Sequence, residues 1–226
     1  MEIIKGLHSI DNTGFVNIYL LVEGNGLTIV DSGMPGYAQR IVDYAVHLGY
    51  KSSDIKTIVL THADLDHSGS AKQLRELTGA RIAIGVRDAP RVEGKMDLKA
   101  LKSLSGRALG LMSRFERFET FEPDILLREG DGVGSLSVIE TPGHTDGSVC
   151  LYGERAFMFV GDALRGDDNG GVQHPSDAMT YDTKKAWESI KKLSYFECDI
   201  MLPGHGKPVM PDASKKVREL LQRRYS

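Results

Sequence analysis

Thr57-Ile58-Val59-Leu60-Thr61-His62-Ala63-Asp64-Leu65-Asp66-His67-Ser68-Gly69 is the stretch that decides how the rest of the chain is read. Its first four residues are β-branched or apolar, the composition of a short buried strand. Two histidines and two aspartates then fall within six residues, directly where that strand would end. An ordinary loop needs no such density of titratable groups, whereas imidazole and carboxylate are the usual ligands of zinc, iron and manganese. A lone histidine here would more often be hydrogen-bonded to backbone. Its company points to a metal.

Other strand ends repeat the theme. His144 lies in Thr141-Pro142-Gly143-His144-Thr145, His205 in Pro203-Gly204-His205-Gly206, and Asp162 in Val160-Gly161-Asp162. Each follows apolar residues and sits beside glycine, so converging sheet edges would bring three distant segments into one pocket. An open coordination position in such a pocket generates hydroxide at neutral pH.

Around these motifs the pattern alternates strands and helices. Val16 to Val22 and Leu27 to Val30 flank Gly24-Asn25-Gly26 as a hairpin, which Asp31-Ser32-Gly33 closes. A helix is expected from about Gly36 to Leu48, with Gly49 as its stop. Ser70-Ala71-Lys72-Gln73 has capping-box spacing and predicts a helix start running to about Thr78, before a strand at Arg81 to Ile84. Ile125 to Leu127 with Leu136 to Ile139, and Ser148 to Tyr152 with Ala156 to Val160, read as two further hairpins. A helix from about Asp182 to Leu193, a strand at Asp199 to Leu202 and a terminal helix from about Pro211 to Arg224 complete the chain. The order fits an α/β fold of two sheets with helices outside, built from two similar halves.

His62-x-Asp64-x-Asp66-His67, followed in order by His144, Asp162 and His205, resembles the metallo-β-lactamase-fold superfamily, whose usual pattern is H-x-H-x-D-H…H…D…H. The likeness extends to Asp31-Ser32-Gly33 and so covers nearly the whole chain. It implies a four-layer αββα sandwich with two divalent metals, zinc first, iron or manganese otherwise. One ion would be held by His62, Asp64 and His144, the other by Asp66, His67 and His205, with Asp162 bridging. Asp66 would also orient or deprotonate the attacking water, and Asp31 would stand behind the ligands as an acceptor or serve as a turn residue. Asp64 departs from the family, which usually has His there. A carboxylate oxygen lies at the same bond distance as Nδ1, so ligation remains within reach, and a charge at the start of a helix is the competing role.

The resemblance implies a metal-dependent hydrolase, glyoxalase II-like or lactonase-like, acting on an ester, lactone, thioester or related small molecule. The alternatives are an iron-dependent oxidoreductase, sulfur dioxygenase-like or diiron, suggested by the carboxylate-rich site, and an inactive binding protein. Arg165 and His174, in the loop after Asp162, are candidates to touch substrate, although a solvated connection explains them equally well. Leu98 to Phe118 carries apolar residues at helical spacing, a candidate lid over about 91–121 or plain core packing.

The 226 residues, 41% of them hydrophobic, suit a single α/β domain over 1–226. A net charge of -3 without a basic stripe argues against nucleic acid as a partner. No run approaches about 18 apolar residues and no secretory leader opens the sequence, so no membrane partner and a cytoplasmic location are expected. Cys150 and Cys198 lack a C-x-x-C neighbour and read as buried free thiols, with a disulfide the minority reading. The sequence leaves the oligomeric state open, a homodimer included.

Overall fold

A computed structural model describes residues 1–11, 13–96, 119–153 and 156–225. Strands β1 (Glu2–Ile4), β2 (Leu7–Ser9), β3 (Tyr19–Glu23), β4 (Gly26–Val30), β5 (Ile55–Leu60), β6 (Arg81–Gly85) and β7 (Ile125–Leu127) form one sheet in chain order. The first four run antiparallel, and β4 to β7 run parallel. Next come β8 (Gly132–Val133), β9 (Leu136–Glu140), β10 (Val149–Gly153), β11 (Phe157–Gly161), a ribbon of β12 (Arg165–Gly166) and β13 (Val172–Gln173), and β14 (Ile200–Pro203). The second sheet has the order β14-β11-β10-β9-β8.

Alternation of side chains along these strands creates three apolar layers. On β5, Ile58 and Leu60 face the helices Ala38–His47 and Ala71–Thr78, while Val59 faces the other sheet. On β11 and β14, Phe159, Ile200 and Leu202 fill the space between the sheets. Met158, Val160 and Met201 turn outward to the helices Thr183–Leu193 and Ala213–Tyr225. The result is the four-layer αββα sandwich of two similar halves. In each half an antiparallel hairpin leads through a helix to a strand parallel to the hairpin's second member: β3, β4 and β5 in one, β10, β11 and β14 in the other.

The structure corrects several expectations. Ile125 to Leu127 does not form a hairpin with Leu136 to Ile139; it joins the first sheet, parallel to β6. Asp124 fixes that choice by accepting the Ile82 N–H at 2.8 Å, and the actual hairpin is β8 with β9. The strand expected from Val16 begins at Tyr19, because Val16 pairs instead as a single bridge with His205. Ser70 precedes its helix but does not cap it. Its Oγ donates to Met34 O at 2.6 Å and accepts from Tyr37 N at 2.8 Å, tying the helix to the loop after Asp31. Residues 97–118 of the candidate lid, with the apolar stripe from Leu98 to Phe118, lie outside the described residues; the short helix Ala89–Val92 spans the start of the segment. Cys150 and Cys198 are buried free thiols in the outer layer, and burial pushes them up to about 12 and about 11. No described helix is long and apolar enough to cross a membrane.

Phe159 is fully buried and lies 5.3 Å from the Tyr19 ring across the sheets. Phe159→Ala is expected to cost about 3–5 kcal/mol in urea denaturation through the cavity it leaves. A loss below about 1 kcal/mol would show that the sheets close over the gap.

Candidate metal centre

Five strand ends deliver the site. β4 leads into Asp31, β5 into His62, β11 into Asp162 and β14 into His205, while His144 sits between β9 and β10. Val149 N donates to Thr61 O at 2.9 Å, joining the two sheets at this point. Asp31 adopts φ 62°, a left-handed conformation that aspartate tolerates better than most residues. There its carboxylate accepts from Thr61 N at 2.8 Å, from Thr61 Oγ1 and from His67 Nδ1 at 2.8 Å. Thr61 Oγ1, its proton given to Asp31, lies 3.0 Å from His62 Nδ1 and accepts from it. His205 Nδ1 donates to Phe15 O at 2.8 Å. The Nδ1 atoms of His62, His67 and His205 are thus engaged as donors, so that in the neutral ring each Nε2 is the lone-pair nitrogen.

Those nitrogens meet the carboxylates. His67 Nε2 and His205 Nε2 are 3.3 Å apart, and Asp66 Oδ2 is 3.2 Å from His205 Nε2. Asp64 Oδ2 is 3.0 Å from His144 Nε2 and 3.7 Å from His62 Nε2. Asp162 lies between the two groups, with Oδ2 at 3.4 Å from His144 Nε2 and 3.5 Å from His205 Nε2, and Oδ1 at 3.4 Å from His67 Nε2. The donor atoms of His62, Asp64 and His144 all lie within 4.8 Å of one another, as do those of Asp66, His67 and His205. Asp64 occupies the cap position of the short helix Leu65–Ser68, yet its side chain caps nothing there. That place is also the one the competing role requires, a charge at the start of a helix. The sequence had not indicated this helix, which turns Asp66 and His67 toward the second group.

The electrostatics ask for positive charge. Burial opposes protonation of His67, but Asp31, Asp66 and Asp162 outweigh it and raise the imidazole to about 10. Burial likewise favours neutral Asp66, but His67 and His205 overcome it and hold its carboxyl below the usual range. Two neutral Nε2 lone pairs facing each other at 3.3 Å repel unless a cation or a proton lies between them. Imidazole edges and carboxylates converging in this way fit divalent ions.

Of the remaining sequence candidates, Arg165 is exposed on β12. His174 stacks on Trp187 with ring centroids 4.4 Å apart, and burial lowers its pKa. Three supporting residues went unnoticed in the sequence. Asn17 Nδ2 donates to Pro203 O and Gly206 O, clasping the His205 loop. Phe15, 66% exposed, stacks on His205 with centroids 5.6 Å apart. Asp88 is buried against Ala63 and Thr145. None stands in a motif, and Asn17 fell inside the strand expected from Val16 to Val22.

The family model described as "Metallo-beta-lactamase superfamily" matches residues 11–205. The chain belongs to the metallo-beta-lactamase superfamily. It is 31% identical over 232 residues to the probable metallo-hydrolase YflN of Bacillus subtilis (strain 168), covering 92% of this chain and 86% of that protein. It is 36% identical over 193 residues to a hydroxyacylglutathione hydrolase of Francisella philomiragia subsp. philomiragia, covering 83% of this chain and 61% of that protein. Among solved structures it is similar to TTHA1623 in a di-iron-bound form, with TM-score 0.67 and 28% identity over 86% of this chain and 89% of that one. The chain is a metallo-hydrolase of the superfamily, whose fold implies divalent metal ions.

In metal-free protein the raised His67 has a defined signature. Its stabilising protonation is fully present below the ordinary value of 6.5 and is lost as pH rises through about 10. Urea denaturation of chelator-treated protein should show stability falling across that window, with Asp31→Asn flattening the fall. A flat wild-type profile would overturn the charge balance described above.

Proposed function

We propose that the chain hydrolyses a small ester, lactone or thioester at a two-metal centre, with His62, Asp64 and His144 ligating one ion, Asp66, His67 and His205 the other, and Asp162 shared. The observation that carries this reading is the pair of donor groups with one carboxylate between them. Divalent ions there supply Lewis acidity toward a carbonyl oxygen and lower the pKa of water. The protein's own part is to hold the imidazoles by their Nδ1 atoms and to keep Asp66 ionised, so that its carboxylate orients the attacking water and accepts its proton. The likeness to a hydroxyacylglutathione hydrolase supports acyl transfer to water. We read the whole chain as one domain serving this site for a small-molecule substrate.

Charge narrows the substrate. Asp64, Asp66 and Asp162 place three carboxylates around two divalent ions, one more than the usual motif supplies. The site then attracts anions less than its relatives' do, which favours a neutral carbonyl over a phosphate ester. Phe15, exposed beside His205, offers an apolar wall for the acyl group.

A second reading, an iron-dependent oxidoreductase, is favoured by the carboxylate of Asp64 beside His144 and by the likeness to a di-iron-bound protein. Oxygen donors shift preference toward harder metals than zinc. Protein purified without chelators or added metal should contain about two ions per chain and hydrolyse a panel of aryl esters, lactones and thioesters. Removal of oxygen should leave that turnover unchanged, and Asp66→Asn should lower kcat by about 10²–10⁴-fold. Turnover that requires oxygen would establish the redox reading, and absence of metal-dependent turnover would leave a binding protein.

Phe15→Ala should raise KM for substrates with apolar acyl groups about tenfold, leaving kcat and short-chain substrates nearly unchanged. An equal loss for all substrates would mean that the ring only positions His205.

A further inference from the structure

Asp88 starts the helix Ala89–Val92 and is fully buried, yet its side chain caps none of that helix's N–H groups. Its carboxylate reaches across to two other segments. Oδ2 accepts from Ala63 N at 2.9 Å and from Thr145 Oγ1 at 2.7 Å; Oδ1 accepts from Gly147 N at 3.1 Å and from Arg91 Nη1 at 2.5 Å. Ala63 lies between His62 and Asp64, and Thr145 follows His144 directly. The two segments approach closely enough to dictate glycine at 147, where a Cβ would stand 2.3 Å from Asp88 N and 2.7 Å from the Asp88 side chain. Arg91 is itself buried.

Burying a carboxylate with a guanidinium gains little stability over apolar packing of the same volume, because desolvation offsets the attraction. The pair therefore calls for a reason other than stability, and its partners supply one. They are the backbone and hydroxyl groups flanking His62, Asp64 and His144. His67 is anchored separately by Asp31, and His205 by Phe15 and the loop that Asn17 clasps.

We propose that Asp88 is the positioning residue of the His62, Asp64 and His144 group: its carboxylate fixes the Ala63 loop at a set distance from the Thr145 loop and so sets metal affinity at that group alone. Arg91 holds the carboxylate in place from behind. The proposal rests on the reading of those three residues as ligands. Groups that orient metal ligands commonly change affinity 10–100-fold when removed, and here the change should fall on one ion of two.

The test is a competition titration of apo-protein with zinc against a chromophoric chelator, for wild type, Asp88→Ala, Asp88→Asn and Thr145→Val, with Asp64→Ala and Asp66→Ala as references for each group. Asp88→Ala should raise one dissociation constant 10–100-fold, the one that Asp64→Ala abolishes, and hold the other within about threefold. Asp88→Asn, which retains one acceptor oxygen, should fall between Asp88→Ala and wild type. Thr145→Val removes the hydroxyl's bonds to Asp88 and to Ser148 Oγ while Gly147 N still donates to Asp88, and should reproduce the selective loss to a smaller degree, which keeps the idea testable if Asp88→Ala fails to fold. Equal weakening of both ions, or wild-type affinities in folded Asp88→Ala and Thr145→Val, would overturn the proposal. Wild-type binding by Asp64→Ala would instead overturn the ligand reading on which it stands.

Discussion

The carboxylate of Asp31 is the constraint on which the candidate centre depends. It accepts directly from His67 Nδ1 and, through the Thr61 hydroxyl, governs His62 Nδ1, so one anion orients an imidazole in each donor group. A hydrogen bond to Nδ1 fixes both the ring plane and the tautomer, which determine where the Nε2 lone pair points. The backbone pays for this with a left-handed residue, which ordinarily costs roughly 1–2 kcal/mol, less for aspartate. The same loop is secured by Ser32, whose N–H and Oγ both donate to His67 O at 2.7 and 2.9 Å.

Around that anchor the sandwich brings corresponding positions of its two halves together. β4 leads into Asp31 and β11 into Asp162; β5 leads into His62 and β14 into His205. Parallel pairing of β4 with β5 and of β11 with β14 sends each carboxylate and its histidine out of the same sheet edge. Small residues allow the edges to close. A Cβ at Gly204 would lie 2.5 Å from Asp162 Oδ1 and from His67 Cε1, and one at Gly161, itself at φ 47°, would lie 2.6 Å from Thr61 Oγ1. Glycine at those two positions is therefore a condition of bringing the donors within a common coordination distance.

The seven ligand candidates were legible because four crowd into six residues after the apolar run Thr57 to Leu60 and the other three stand beside glycine after apolar runs, in an order that a known superfamily shares. Strand alternation likewise made most of the two sheets legible. What escaped was whatever acts across the fold. Asp88 looks like a surface acid opening a helix, and only the contact with Ala63 and Thr145 gives it a task. Asn17 clasps a loop 186 residues away in sequence. Ser70 had the spacing of a cap, but the neighbouring Met34 carbonyl and Tyr37 N–H offered its hydroxyl better partners. β7 went astray for a related reason. Ile125 and Leu127 suit either sheet, and sequence proximity favoured the hairpin until Asp124 tied the strand to β6.

Asp64 shows how a carboxylate enters a histidine position without disturbing this frame. The backbone carbonyl of Asp64 takes the capping duty for the helix that follows, accepting from His67 N and Ser68 N at 2.9 Å each. The side chain is thereby released from a role that aspartate commonly performs at such positions. With its φ of -63° and ψ of 147° the residue keeps the extended geometry of a cap, and the carboxylate projects toward His144 and His62 instead of back over the helix. Histidine at this position would reach the same place through Nδ1, an atom bonded to Cγ as Oδ2 is. On the proposed ligation, aspartate in place of the histidine of the usual motif alters charge and hardness while the path of the chain stays the same.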